Sequence, residues 1–385
     1  MLVEIRGAGF INKGAELMLH AVIDALSRRF EDAEFALRAS GRLSLAPYIS
    51  RANAGLYQKA FLPFRGKDYG EALAFLPKKF RDAYGIKVNS DVDIVIDISG
   101  FAYGDQWSTG QANQLHREAM RWRKNGTRIY LLPQALGPFV KARQRDAAIR
   151  AFECCDLIYA RESVSLAHLE GLGLARPQVA QAPDFTNLLV PAKSLAPRQL
   201  RGRFCIIPNA KMIEKTDRST AGGYMQFLKN LYRVADAGGH SPFLLLHEKN
   251  DASLARELAK LLPEIEIHAE DDPLVIKAII GASHVVFSSR FHGLVSALSQ
   301  AVPALGTSWS HKYRMLFADY ELEEGLINTS AVDRESLEYI VESVAADSGN
   351  KEIRKSLKVH STKMKKAAAQ MWDQVTADIQ TSIRR

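Results

Sequence analysis

Cysteine is almost missing from this 385-residue chain, which has Cys154 and Cys155 side by side and Cys205 alone. That spacing builds neither a zinc site nor a disulfide framework, and it suits a reducing compartment, so a cytoplasmic protein is expected. All three read as core or helix-packing residues. Long apolar runs are also missing, and none approaches the ~20 residues of a membrane span. The first strand-like stretch carries Glu4 and Arg6, so no secretory signal is expected. There is no Gly-x-Ser-x-Gly elbow, Walker loop or His-Glu-x-x-His helix, which leaves hydrolase, nucleotidase and protease chemistry without an anchor. Internal repeats and low-complexity tracts are lacking too. The most informative absence is local. From Pro273 to Ala318 the chain has no Asp or Glu, yet it places Arg290, His292, Lys312 and Arg314 there.

With 47% hydrophobic and 24% charged residues the composition is that of a soluble globular protein, and the length suffices for two domains. The first half alternates strand and helix patterns. Strands are expected at Met1–Arg6, Phe35–Arg38, Ile94–Ile98, Arg128–Leu132 and Asp156–Ala160, and helices at Ala15–Phe30, Gly110–Asn125 and Arg143–Cys154. Residues 41–90 carry Phe61, Phe64, Phe75 and Phe80 among Gly and Pro with no readable period. Pro191 to Arg203, with Pro191, Pro197, Gly202 and four basic residues, reads as a linker. The alternation then restarts with strands at Phe204–Pro208, Phe243–His247 and Ile265–His268, and helices at Tyr224–Ala237 and Ala252–Leu262. Such alternation predicts an α/β protein with parallel sheets covered by helices. The expected domains are residues 1–195, residues 196–345 and a C-terminal helix, 346–385, docking back on the body.

The run from His284 to Gly306 reads as a buried strand (Val285 to Phe287), a tight polar loop (Ser288 to His292), a helix (Gly293 to Ala301) and a second short strand. A loop at a strand's carboxyl end and a helix's amino end presents free N–H groups to an anion. Arg and His in that loop, with no acid nearby in sequence, suit a compact, highly charged ligand such as a phosphate beside a carboxylate. The bland alternative is a packing unit whose Arg and His pair with acids from elsewhere in the fold. Ser289, Arg290 and His292 are the first candidates for binding an anionic donor. Lys312, beyond Thr307-Ser308-Trp309-Ser310, could complete the clamp, and Lys211 and His247 follow other strand ends.

Ser-Arg-Phe-His-Gly (Ser289 to Gly293), followed by Ala-Leu-Ser-Gln-Ala-Val-Pro, resembles the carboxyl-terminal signature of the polysaccharide pyruvyl transferase family. Weaker pieces in the family's order accompany it. Gly9 to Glu16 resembles the opening Gly-rich loop, with Ala15 where an Asp is common. Asp93 to Gly100, Pro133 to Phe139, Ala160 to Ser163 and Ala182 to Phe185 resemble further strand-end motifs.

The resemblance implies two Rossmann-like domains facing across a cleft, in a glycosyltransferase-B-like fold. It also implies transfer of pyruvate from phosphoenolpyruvate to a sugar of a saccharide, lipid-linked or free, as a cyclic ketal, with no cofactor and no metal. Such a reaction needs an acid, a base and fixed cations. His292 is either the acid or a phosphate ligand, with Arg290 beside it, and Asp97 or Glu16 is the candidate base. Asn12, Gly14, Gln134 and Asp184 are expected on the acceptor side, in the N-terminal domain. Two other readings stay open: a glycosyltransferase or epimerase using a nucleotide-sugar, and a non-catalytic protein that binds anionic sugars.

The net charge of +8 is uneven. Lys351, Arg354, Lys355, Lys358, Lys363, Lys365 and Lys366 are opposed only by Glu352, while Ile353, Leu357, Met364, Ala368, Met371, Val375 and Ile379 recur at helical steps. The expectation is a docked helix whose basic face is either simply solvated or in peripheral contact with anionic lipid at the inner face of the membrane. No nucleic-acid-binding module accompanies the charge.

Overall fold

The computed structural model describes residues 1–38, 47–64, 67–214, 216–307 and 310–383. Ser308 and Trp309, named above, lie outside them. The chain forms two compact units. One holds residues 1–11, 18–185 and the chain from 367 onward; the other holds residues 12–17 and 186–366. Pro191 to Arg203 lies inside the second unit, in short 3-10 turns that bury Ala196 and Leu200.

In the first unit the strands are β1 (Leu2–Arg6), β2 (Glu34–Arg38), β3 (Leu56–Lys59), a small antiparallel pair β4 (Pro63–Phe64) and β5 (Lys67–Asp68), β6 (Ile86–Lys87), β7 (Ile94–Asp97), β8 (Arg128–Gln134), β9 (Leu157–Ala160) and β10 (Gln178–Gln181). Eight of them make one parallel sheet in the order β10-β9-β8-β7-β1-β2-β3-β6. The runs Leu-Val-Glu-Ile-Arg and Ile-Val-Ile-Asp are buried along their whole length, as strands covered on both faces must be. β3, β6 and β10 are short or polar, so they gave no sequence signal.

The second unit holds β11 (Phe204–Ile207), β12 (Phe243–Leu246), β13 (Ile267–Ala269), β14 (Val285–Ser288) and β15 (Ala304–Gly306), all parallel, in the order β13-β12-β11-β14-β15. This is the 3-2-1-4-5 order of a Rossmann sheet without its sixth strand. Its side chains alternate between two cores. Cys205, Ile207, Phe243, Leu245 and Val286 face one, with the helices Pro273–Ala282 and Phe291–Leu298. Phe204, Ile206, Leu244, Val285 and Phe287 face the other, with the helices Arg218–Ala237 and Arg334–Ala345.

The terminal helix runs Asp347–Ile383. Its expected apolar stripe is docked: Leu357 and Met364 join the second unit's core, and Met371, Trp372, Val375 and Ile379 are buried further along. In the first unit Trp372 meets Phe185 edge-on at 6.0 Å, and Asp378 binds Arg128.

Candidate active site

In an open α/β sheet the ligand crevice lies beyond the strand ends where the strand order reverses. In the second unit that point is between β11 and β14, where the Ser-Arg-Phe-His-Gly loop begins. Ser288 folds the loop: its Oγ donates to the Arg290 carbonyl at 3.0 Å and accepts the Arg290 N–H at 3.0 Å. Gly293 is required there, because a Cβ would stand 2.4 Å from the Ser288 Oγ. Ser289 is fully buried. Its Oγ shares a 2.7 Å hydrogen bond with the Tyr224 hydroxyl, and its carbonyl accepts from Asn209 Nδ2 and Tyr313 Oη. It is a strut rather than a donor-facing hydroxyl, which corrects its expected role.

Arg290 carries the larger correction. Its Nε donates to Asp251 at 2.9 Å, Nη2 donates to the other Asp251 oxygen, and Nη1 donates to Glu248. All three residues are buried. Burial opposes the guanidinium's charge, but Asp251 and then Glu248 outweigh it and hold Arg290 ionised. The stretch that lacks acids in sequence does not lack them in space. Both come from the segment after β12, about 40 residues upstream, and supply the bland alternative for Arg290.

The Gly-rich loop joins the same unit. Asn12 makes an antiparallel bridge with Glu248, and the Lys13 N–H donates to the His247 carbonyl at 3.3 Å. The Asn12 side chain accepts the Gly14 N–H, and its carbonyl accepts from Ala15 and Glu16, which starts the helix Lys13–Ser27. Gly14 lies flat on His292, where a Cβ would fall 2.4 Å from Nδ1. Only glycine allows this approach. Asn12, Gly14 and Glu16, expected with the N-terminal domain, are thus gathered in the second unit with the Ser288–His292 loop. Glu16 is buried, which raises its carboxyl pKa against the pull of Lys13, whose Nζ donates to it at 2.8 Å.

His247 is pressed down to a pKa of about 3, first by burial and then by Arg290, His292 and Lys13. It is neutral at pH 7, so it offers hydrogen bonds but no charge to a donor. Its Nδ1 is buried without a partner. Lys312 is buried with its Nζ 5.0 Å from the centroid of the Phe291 ring, which in turn meets His292 edge-on. Lys211 is instead a surface residue paired with Glu214 on its own turn.

The remaining expected residues belong to the first unit. Asp97 ends β7 at that sheet's own reversal point, next to β1. Its Oδ2 accepts from Arg6 at 3.0 Å and from the Tyr103 hydroxyl at 2.8 Å, and its Oδ1 accepts the Ser99 N–H. It is fully buried and held by these three donors inside the first unit. Asp184 stands 3.4 Å from Arg161, both buried. Gln134 is fully buried with neither amide oxygen nor nitrogen bonded. Among the described residues no group of three or more His, Cys, Asp or Glu is arranged to hold a metal ion. Sequence reasoning missed Lys13, Glu248 and Asp251. The one available signal was that His-Glu-Lys-Asn-Asp, like the candidate loop, follows a strand end.

The family profile of polysaccharide pyruvyl transferase matches residues 12–311. No curated protein sequence matches the chain. Among solved structures, UDP-GlcNAc 2-epimerase from Neisseria meningitidis bound to UDP-GlcNAc is similar at 10% identity, with a TM-score of 0.61 over 98% of this chain and 100% of that one. Alr3699/HepE from Anabaena in complex with UDP is similar at 11% identity, with a TM-score of 0.59 over 99% of each chain. The spinosyn rhamnosyltransferase SpnG is similar at 13% identity, with a TM-score of 0.51 over 97% and 100%. At these identities the likeness is one of fold: an α/β, glycosyltransferase-B-like architecture with parallel sheets.

Proposed function

We propose that this chain, which belongs to the polysaccharide pyruvyl transferase family, transfers pyruvate from phosphoenolpyruvate to two hydroxyls of a saccharide as a cyclic ketal. The observation that carries the reading is the seating of Gly14 on His292. It brings a candidate base, Glu16, and an extra cation, Lys13, to the loop that holds the candidate acid. His292 protonates the methylene carbon of the donor, and the positive charge develops on the central carbon. One acceptor hydroxyl adds there and gives its proton to Glu16, a carboxylate whose raised pKa makes it a better base. Phosphate leaves with its bonding pair, and the second hydroxyl closes the ring. Of the two protons from the diol, one balances the new C–H bond and the other departs with phosphate. Lys312 and Lys13 supply the fixed positive charge, while Arg290 positions the loop through Asp251 and Glu248.

Thermal unfolding tests the donor first. Phosphoenolpyruvate should protect the protein and uridine nucleotides should not; the reverse result would favour a nucleotide-sugar enzyme. Phosphate release with a panel of glycosides, scored by product mass, then separates an enzyme from a sugar-binding protein. His292→Asn should cut turnover far more than donor affinity if His292 is the acid, and affinity alone if it only grips phosphate.

A second proposal concerns location: cytoplasmic, with peripheral membrane contact through the terminal helix. No helix among the described residues is long and apolar enough to cross a membrane. Lys351, Lys355, Lys358, Lys363 and Lys366 are all exposed, and at ~100° per residue they fall opposite the docked stripe, over ~22 Å of helix. Arg354 is not among them, because it turns inward to the carbonyls of Ser283 and His284. A cationic stripe fixed by its own apolar back suits an anionic lipid surface.

A further inference from the structure

Beside the donor loop, where β12 and β13 end, the second unit has a cavity of about 230 Å³. Its floor is aliphatic (Leu246, Ala252 and Ala269), and its polar wall is Lys13, His247, Glu248, Lys249, Glu270 and Asp271. Of its lining residues, the functional steps above use only Lys13. Counting charges, two lysines face three carboxylates with His247 neutral, so the wall has no surplus of positive charge for an anion.

Its polar groups are unevenly engaged. Both Glu248 oxygens are occupied, one by Arg290 and the other by Asn250 Nδ2 at 2.8 Å. By contrast, His247 Nδ1 is buried and unbonded, in a residue only 3% exposed. Asp271 Oδ1 stands 3.5 Å from Lys249 Nζ and 3.8 Å from Lys13 Nζ, close enough to attract and loose enough to admit a hydroxyl. A buried ring nitrogen without a partner is a standing penalty unless a ligand or water meets it. An aliphatic floor with a neutral donor-acceptor, a carboxylate and an ammonium at its edge matches a sugar ring, whose carbon face is apolar and whose hydroxyls both give and accept.

We propose that this cavity is a subsite for a neutral sugar ring, holding adjacent hydroxyls on His247, Asp271 and Lys13. As a part of the acceptor's path it rests on the saccharide-acceptor reading, but as a binding site it can be tested alone. The probes are methyl hexopyranosides with adjacent free hydroxyls, the same glycosides with those hydroxyls O-methylated, and inorganic phosphate. Binding is followed by saturation-transfer NMR and calorimetry on the full chain.

The wild type should bind the free glycosides and discriminate against the methylated ones. His247→Phe keeps a flat ring and removes the nitrogen; Asp271→Asn changes a side chain that is 81% exposed and so leaves folding alone. Each should weaken the glycoside about three- to tenfold, the loss of one hydrogen bond. Unchanged glycoside affinity in Asp271→Asn and in folded His247→Phe would overturn the subsite, as would phosphate displacing the glycoside from it. Weakened glycoside binding without any phosphate release from phosphoenolpyruvate would keep the subsite and sink the transfer reaction. Ketal formation with an unchanged acceptor KM in both variants would do the opposite.

Discussion

Replacing Arg290 by alanine should unfold the second unit's site before it reveals anything about a donor. Arg290, Asp251 and Glu248 are 7%, 0% and 9% exposed, so the guanidinium is the buried counter-charge of two buried carboxylates. Removing one member of such a group leaves uncompensated charge and costs about 3–5 kcal/mol. At about 2–4 °C per kcal/mol for a domain of this size, the melting temperature should fall by about 6–20 °C.

The pH dependence has a definite sign. Burial already raises the Asp251 pKa, and Arg290 is the first influence that lowers it again. Without Arg290 the folded-state pKa rises further above the unfolded value. The penalty is full while Asp251 is ionised, begins to fade as pH falls through the raised folded-state value and is gone below the unfolded one, so the variant's deficit should shrink on acidification, within what the fold tolerates. Arg290→Ala/Asp251→Asn should recover part of the loss, measured as a coupling energy in a double-mutant cycle. Differential scanning fluorimetry across pH reads all three proteins. A deficit under about 2 °C at neutral pH, unchanged on acidification, would refute the buried-triad reasoning. If the double variant melts near wild type yet gains no protection from phosphoenolpyruvate, Arg290 also touches the donor.

Gly14→Ala should place a methyl group against His292, costing about 1–3 kcal/mol in melting experiments and lowering turnover; wild-type values for both would remove the contact from consideration. Glu16→Gln should cut turnover by about 10²- to 10⁴-fold and abolish an acid limb of the rate profile lying above the ordinary carboxylate range; a preserved limb would assign the base elsewhere. Because that raised pKa makes ionised Glu16 a liability to folding as pH rises, the same variant should be no less stable than wild type at pH 8. Lys355→Glu with Lys358→Glu should release the protein from anionic vesicles at low salt, as added salt should do to the wild type; equal recovery with neutral and anionic vesicles would leave the basic face merely solvated.

The fold was largely legible because its information is local. Val-Val-Phe-Ser and Phe-Leu-Leu-Leu are strands in any reading, and the helical steps from Leu357 to Ile379 announce a docked face. The segments that failed have no local signature. β10 is Gln-Val-Ala-Gln at a sheet edge, and β6 is two residues long. The site was half legible for a related reason. Strand ends can be found by pattern, which is why Arg290, His292, His247 and Glu16 stand out in the sequence as residues beside strand-end loops. Which loops meet is set by strand order, and the order β12-β11-β14 is not written in any one segment.

That gap changes the argument about charge. Reading acids by sequence distance made Arg290 the anchor of an anion clamp, whereas the folded chain surrounds it with Glu248 and Asp251 and leaves the group carrying one net negative charge. A phosphate approaching the loop therefore cannot be held by Arg290 at full strength while both carboxylates stay ionised and bonded to it. Either the donor's charge is met by Lys13, Lys312 and His292, with Arg290 fixing the loop that carries His292, or one carboxylate takes up a proton or swings away when the donor arrives. The second course would show as proton uptake on binding phosphoenolpyruvate, measurable by calorimetry in buffers of different ionisation enthalpy. The first would show none attributable to Asp251, and the value in Asp251→Asn would equal that of the wild type.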